Sequence, residues 1–264
     1  VVKMFRLLVL SIVLIGVLSS PARRGRLPLP FIAGGDFANL NQFPYLLNLQ
    51  YNGRHRCGAV LVAPNIAITA AHCIYKQDVS SYIAVAGTIH QTQDTQGVAS
   101  SVERIETHPK YDDLTLEFDI AILFLAKKFP LSNRIAPVQL PKANEVIPEY
   151  AIATTAGWGY EDLVKKSEFL KFINILIWSK SECKKVLRNY EIFDGPAYCS
   201  GVKGVLNNAC AGDSGGPLVY KNKLFGIVSI GQYCSSTPSI YTDVAAVQMF
   251  INYISYLTYL HFCK

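Results

Sequence analysis

The sequence contains no apolar run long enough to cross a bilayer, no Cys-x-x-Cys, no histidines paired at metal-ligand spacing and no Asn-x-Ser/Thr. Each absence removes a class of protein. The longest apolar stretch, Leu7 to Leu18, falls well short of the roughly 20 residues a spanning helix needs. Zinc sites are built from close cysteine and histidine pairs, so no metal or other cofactor is expected. Without the acceptor tripeptide no N-linked glycan is expected either. No internal repeat is visible. A large excess of one charge is also missing from most of the chain. The formal net charge is +6, but five of the 25 basic residues (Lys3, Arg6, Arg23, Arg24, Arg26) precede residue 32 and no acidic residue does. The remainder sets 20 basic residues against 19 acidic ones, which leaves no electrostatic footprint for a nucleic-acid partner. Arg54-His55-Arg56 and Lys165-Lys166 read as solvated loop charges.

What is present begins with a targeting signal. The first residue is Val1, and Met4 reads as the translation start. Arg6 supplies a positive region, Leu7 to Leu18 an apolar one and Ser19-Ser20 a small-residue cleavage site, the pattern of a secretory signal over residues 1–19. Residues 20–31, rich in proline and arginine and without periodicity, read as a short propeptide. Seven cysteines behind such a signal are expected to form disulfides with one left over, and their spacing does not give the connectivity. The chain is therefore expected outside the cell, with no membrane association once the signal is gone.

From Asn41 to about Leu125 the chain shows short apolar strands between turn residues and no helical periodicity. Tyr45 to Leu49, Gly58 to Val62, Ile66 to Thr69, Ile83 to Ala86 and Ile120 to Leu125 are the clearest, and they point to an all-β barrel. Four prolines punctuate 130–148. A second series follows at Ala151 to Ala156, Phe169 to Trp178, Pro217 to Val219, Leu224 to Ile230 and Ser239 to Thr242, with a short helix over Ser181 to Arg188. At the end, Val247, Phe250, Ile251, Ile254 and Leu257 follow the spacing of one apolar helix face, which is expected to pack on the second series.

Chemistry concentrates in three strings. Asn207-Asn208-Ala209-Cys210-Ala211-Gly212-Asp213-Ser214-Gly215-Gly216-Pro217 reads as a tight glycine turn that presents a serine hydroxyl and then enters a strand. A serine nucleophile needs a base and an orienter for that base. His72 lies in Thr69-Ala70-Ala71-His72-Cys73, and Asp119 interrupts the apolar run from Phe118 to Leu125. A carboxylate in such a run is costly to bury unless something is bonded to it.

In this order, the three strings resemble those of the trypsin/chymotrypsin family of serine endopeptidases, and the resemblance runs from residue 32 to about 260. It implies two six-stranded antiparallel Greek-key barrels with a C-terminal α-helix, joined within about 130–148. It implies an acyl-enzyme mechanism with Ser214 as nucleophile, His72 as general base and acid, and Asp119 holding the imidazole. The N–H groups of Gly212 and Ser214 would form the oxyanion hole, and Ser229 matches the family serine that bonds the aspartate. Ile32-Ala33-Gly34-Gly35-Asp36 is similar to the mature family N-terminus, whose freed amine pairs with the aspartate before the nucleophile, here Asp213. The residue before Ile32 is Phe31 rather than the Arg or Lys of a trypsin-activated zymogen. By the same resemblance Cys57 pairs with Cys73, Cys183 with Cys199 and Cys210 with Cys234, while Cys263 has no family partner.

The resemblance also assigns a specificity pocket to Asn208, Gly231 and Ser239. Trypsin-like members carry an aspartate where Asn208 stands, so a neutral pocket for Phe, Tyr, Leu or Met is implied. Gly231 should leave its mouth open and Ser239 reduce its depth. The loop after Gly87 begins Thr88-Ile89-His90 and lacks the acidic residue of calcium-binding members. The implied partners are protein or peptide substrates and proteinaceous inhibitors, and the implied state is a monomer. Two other readings stay open: a catalytically silent homologue acting as a binding protein, and a trypsin-like processing enzyme.

Overall fold

A computed structural model describes residues 35–92, 97–160, 165–189, 195–201, 208–231 and 238–253. Thirteen strands appear among them. Six close a barrel: β2 (Leu46–Tyr51), β3 (Arg54–Ala63), β4 (Ile66–Thr69), β5 (Tyr82–Ala86), β6 (Val98–Thr107) and β7 (Ala121–Leu125). Their order around the barrel is β2-β3-β4-β7-β6-β5, so β4 pairs with β3 and then with β7 instead of β5, the jump of a Greek key. Closure leaves this half without a free edge. Asn52 and Gly53, at φ of 50° and 72°, turn β2 into β3, because a two-residue hairpin whose twist matches its strands needs positive φ at both places. β7 reads Ala-Ile-Leu-Phe-Leu and is buried throughout. With Leu47, Leu49, Leu61, Ile68 and Tyr82 it fills the barrel.

The second half supplies β8 (Ile152–Gly157), β9 (Lys171–Leu176), β10 (Ala197–Ser200), β11 (Pro217–Tyr220), β12 (Lys223–Ile230) and β13 (Ser239–Asp243). A seventh strand, β1 (Asp36–Phe37), joins from the amino-terminal side, and the order is β1-β9-β8-β11-β12-β13-β10. This sheet is a half-barrel. Its two ends approach where the Ile177–Ser200 bridge and the bond from Trp178 N–H to Cys199 C=O (2.9 Å) carry the chain after β9 onto β10. Leu218, Phe225, Val228 and Tyr241 lie in its core. Between the halves the segment of prolines runs from Ile135 and Val138, in the first core, to Ile147, in the second.

Helix α1 (Lys180–Asn189) starts where a reciprocal cap permits it: Ser179 Oγ accepts from Glu182 N–H at 3.2 Å, and Glu182 Oε2 accepts from Ser179 N–H at 3.3 Å. Cys183 and Leu187, one turn apart, are its buried face. Cys183 is bonded to Cys199, fixing α1 against β10 across a sequence separation of 16. Replacing both cysteines by serine is expected to cost about 3 kcal/mol of stability, the loop-closure value for this span. Urea denaturation checks it, and peptidase turnover should stay within a factor of about two, because small effects at distant sites rarely couple. Residues 248–253 are helical, with Val247 and Ile251 buried in the first barrel's core. The same cluster takes in Val219, Leu224 and Ile227 of the second sheet, so the tail packs where the halves meet and not, as its amphipathic pattern suggested, on the second alone. Ile254 and Leu257 lie outside the described residues.

Candidate active site

His72 sits in a single 3₁₀ turn, Ala71–Cys73, at the end of β4. Cys73 is bonded to Cys57 on β3, and its carbonyl accepts from Tyr82 Oη at 2.6 Å, so the turn is anchored on both sides. Asp119 precedes β7 and is wholly buried. Its carboxylate is fully occupied: Oδ1 accepts from His72 N–H (2.9 Å), and Oδ2 from His72 Nδ1 (2.7 Å) and Ser229 Oγ (2.6 Å). A carboxylate accepts only, so Nδ1 carries the imidazole proton and Nε2 is left as the basic nitrogen. The cost of burying the charge is met by these three donors.

The serine comes from the other half. Ser214 is half-buried in the turn before β11, and its carbonyl accepts from Gly58 N–H at 2.8 Å. Gly215 has φ of 78°, and a Cβ there would strike Thr69 Oγ1 and the Gly58 carbonyl, which makes glycine obligatory where the two halves touch. Gly215 N–H donates to Val228 C=O (2.8 Å), and Gly216 C=O accepts from Val228 N–H (2.9 Å). The turn is thereby locked to β12. Gly212, at φ of 95°, and Ser214 point amides that have no protein acceptor among the described residues. Free amides on a rigid turn are suited to a developing oxyanion. Ser214 Oγ and His72 are not hydrogen-bonded to each other in this structure; catalytic contacts are often long in the absence of substrate.

Asp213 is buried beneath the turn. Its Oδ1 accepts from Gly159 N–H (2.7 Å) and its Oδ2 from Cys210 N–H (2.8 Å). Gly157 and Gly159 lie so close to the carboxylate that a Cβ on either would collide with it. Burial pushes the carboxyl up from 3.8 to about 6, against the opposing pull of the two amides. Between those values the folded chain holds a proton that the unfolded chain has released. Stability therefore falls as pH rises from about 4 to about 6, by roughly 3 kcal/mol from this group. Urea midpoints for the uncleaved chain and Asp213→Asn across that range should differ by a slope of this sign. Parallel pH profiles would refute it.

The pocket residues are brought together. Asn208 and Ser239 are buried, Asn208 against Gly201, and Ser239 Oγ donates to Ala209 C=O at 3.1 Å. Gly231 lies against the Ala209–Cys210 backbone. A Cβ on it would lie 2.7 Å from the Ala209 oxygen and 3.2 Å from that of Cys210, so any larger residue would press on this backbone. Cys210 is disulfide-bonded, and Cys234, its expected partner, lies outside the described residues, as do Phe31, Ile32, Cys263 and the whole of 1–34. Cys57, His72 and Cys73 place their donor atoms within 4.8 Å of one another. The two sulfurs are joined as a disulfide, which does not offer the thiolates a zinc site uses.

Three contributors were not evident beforehand. Thr242 Oγ1 donates to the Asp119 carbonyl at 2.9 Å, so the second half holds both ends of that residue. Phe118, at φ of 52°, stacks on His108 with ring centroids 4.7 Å apart, fixing the backbone that enters Asp119. His55 is a correction: Arg54 and Arg56 are exposed on strand β3, but His55 between them is buried, with Nδ1 2.8 Å from Asn48 Oδ1 and Nε2 3.0 Å from Gly212 C=O. Burial pushes its pKa down to about 4. A bulge in β3 sets Cys57 across from Leu49 but His55 across from Gln50, on the face that carries Asn48, so alternation along the strand gave no signal for it.

A carboxylate-bound histidine from one half, a serine on a glycine turn from the other and two unengaged amides are the parts a serine hydrolase uses, carried here on a closed barrel and a half-barrel. A family model described as Trypsin matches residues 32–251, and the chain belongs to this family of serine-type endopeptidases. It is 34% identical over 227 residues to a trypsin of Phaedon cochleariae, covering 84% of this chain and 87% of that protein. It is also 34% identical to hypodermin-B of Hypoderma lineatum (83% and 86% covered) and 31% identical to a vitellin-degrading protease of Bombyx mori (84% and 84%). Among solved structures, human heparin binding protein superposes with a TM-score of 0.74 at 26% identity, covering 83% of this chain and 94% of that one.

Proposed function

We propose that this endopeptidase is secreted, that His72, Asp119 and Ser214 are its catalytic residues, and that it cleaves after large neutral residues. The observation that carries the catalytic assignment is the 2.7 Å bond from His72 Nδ1 to a buried Asp119. Ser214 Oγ attacks the peptide carbonyl as His72 Nε2 takes its proton, and the amides of Gly212 and Ser214 receive the oxyanion. Collapse expels the amine with that proton, and water repeats the sequence to release the acid. Cleavage before Ile32 would supply an amine for Asp213, whose carboxylate is buried beneath the turn. Secretion is supported by the apolar segment Leu7 to Leu18, and no helix among the described residues is long and apolar enough to cross a membrane.

Asn208 supports neutral specificity, since a substrate Lys or Arg would bury its charge there without a carboxylate, at a cost of several kcal/mol. The trypsin named among its relatives favours the other reading, cleavage after basic residues. Peptides differing only at the residue before the scissile bond (Phe, Tyr, Leu, Met, Lys, Arg) separate the two when assayed on the enzyme with its natural N-terminus. We expect kcat/KM for Phe or Leu to exceed that for Arg by at least about 100-fold, and Asn208→Asp to narrow that gap, a charge pairing worth a few kcal/mol. A preference for Arg in the unaltered enzyme would reject the neutral pocket.

A further inference from the structure

One cleft among the described residues lies apart from the catalytic residues. It has a volume of about 150 Å³ and lies on the second sheet, between the end of the proline-rich segment, the start of α1 and the strands β10 and β13. It shares no residue with His72, Asp119 or Ser214. Its lining is mostly apolar, with Ile147, Pro148, Ile177 and Trp178 among it, and it carries three charged residues, Asp243, Glu149 and Lys180. An apolar cavity of about this size holds a molecule as large as benzene.

Asp243 is the unusual member. Its Oδ1 accepts from Ala245 N–H at 2.9 Å and Ala246 N–H at 3.2 Å, which fixes the carboxylate, while Oδ2 has no hydrogen-bond partner and no cation within 4.0 Å among the described residues. Burial pushes this carboxyl up to about 6, so it is ionised at neutral pH without a counter-charge bonded to it. Glu149 is already engaged: its Oε1 accepts from Lys180 N–H at 2.9 Å, which closes the N-terminus of α1 to an outside anion. A fixed, desolvated carboxylate in a largely apolar cleft is complementary to an ammonium on a short hydrocarbon stem. A lysine side chain has that form, since it lays its methylenes on apolar surface and keeps its charge for a polar partner. We propose that this cleft is an exosite for a lysine side chain of a protein ligand, with Asp243 as the ion-pair acceptor and Trp178 and Ile177 as the surface for the stem. Lys180, which also lines the cleft and whose charge acts on Asp243, is the intramolecular competitor.

The chain has two tryptophans, Trp158 and Trp178, and only Trp178 lines the cleft. Its indole N–H, bonded to Gly201 C=O at 2.9 Å, is therefore a local reporter in a nitrogen-15 spectrum. The Ser214→Ala protein, which cannot consume a peptide, would be titrated with butylammonium, with butanol, and with N-acetyl, C-amide Gly-Lys-Gly and Gly-norleucine-Gly. Butylammonium and the lysine peptide are expected to shift the Trp178 signal saturably, with Trp158 unmoved and each neutral isostere at least tenfold weaker. Asp243→Asn, which keeps an oxygen for Ala245 and Ala246, should reduce butylammonium to the level of butanol. Should that variant fail to fold, Lys180→Met reads the same contact in the opposite direction, with tighter binding expected. Equal shifts by charged and neutral probes, or no gain in Lys180→Met, would overturn the proposal. Binding of butylammonium without the lysine peptide would overturn its assignment to a protein side chain.

Discussion

Ser214→Ala is expected to lower kcat by about 10⁶-fold while the variant unfolds at the same urea concentration as the parent. Alanine removes the attacking oxygen and leaves everything that holds the turn, because the anchoring bonds of this residue run through its carbonyl to Gly58 and through the Gly215 and Gly216 backbone to Val228. The side chain contributes no hydrogen bond to the fold among the described residues. Substrate affinity should change little, so the loss falls on kcat and not on KM. Residual hydrolysis on the order of 10³-fold above water is expected from the oxyanion amides and binding alone. A variant that keeps turnover within tenfold of the parent would remove Ser214 from the mechanism. A parent that neither hydrolyses peptides nor acylates at Ser214 would move the protein to the silent, partner-binding class.

Asp119→Asn is expected to cost about 10⁴-fold in kcat, the value typical when the orienting carboxylate of such a triad is made neutral. The physical reason lies in the three donors around that side chain. An amide has one acceptor where the carboxylate has two, and its NH₂ must occupy one of the two positions. Facing the His72 amide, the NH₂ meets a donor at 2.9 Å; facing Nδ1, it forces the proton onto Nε2, so the ring can no longer accept from Ser214. In the second arrangement Ser229 Oγ, which donates to Oδ2 at 2.6 Å, must instead accept from the NH₂. Ser229→Ala should therefore be mild in the parent, about tenfold, and nearly silent in the Asp119→Asn background, since the two share one hydrogen-bond network. Rates measured in this double-mutant cycle that multiply independently would show that Ser229 does not act through Asp119.

Strands with an uninterrupted apolar face were legible from the residues alone. The elements covering Ile66–Thr69, Ala121–Leu125 and Pro217–Tyr220 coincide with their sequence patterns to within a residue or so. β6 was not legible. Its sequence, Val-Ala-Ser-Ser-Val-Glu-Arg-Ile-Glu-Thr, turns Ser100 inward, and that hydroxyl is satisfied by Lys127 N–H at 3.0 Å and Lys127 C=O at 3.2 Å. A polar residue with a tertiary partner breaks the alternation on which strand recognition depends. β10 is four residues long and β1 two, so neither carries a full period of pattern. At the site, order along the chain and the glycine turn pointed to His72, Asp119 and Ser214. Thr242 carried no mark, because a threonine in a strand is ordinary until the fold sets it 2.9 Å from the Asp119 carbonyl. His55 was misread because two arginines flank it, and the charge of neighbours says nothing about which face of a strand a residue takes.

The two short residues of β1 pair with Lys171 and Phe172 on β9, far along the chain, although the barrel that follows β1 is the other one. The polypeptide thus leaves one half, builds the whole of its neighbour and returns to cover the strand edge where it began. During synthesis the first barrel can close on its own pairings, but β1 has nothing to pair with until β9 has been made. Long-range pairing of this kind is paid for in loop-closure entropy before any contact rewards it, and it slows folding. Hydrogen exchange during refolding should protect β4 and β7 early and Asp36–Phe37 among the last. Because Asp119 is held from both sides, by His72 and by Thr242, hydrolytic competence should return with that late docking step and lag behind the recovery of β-structure.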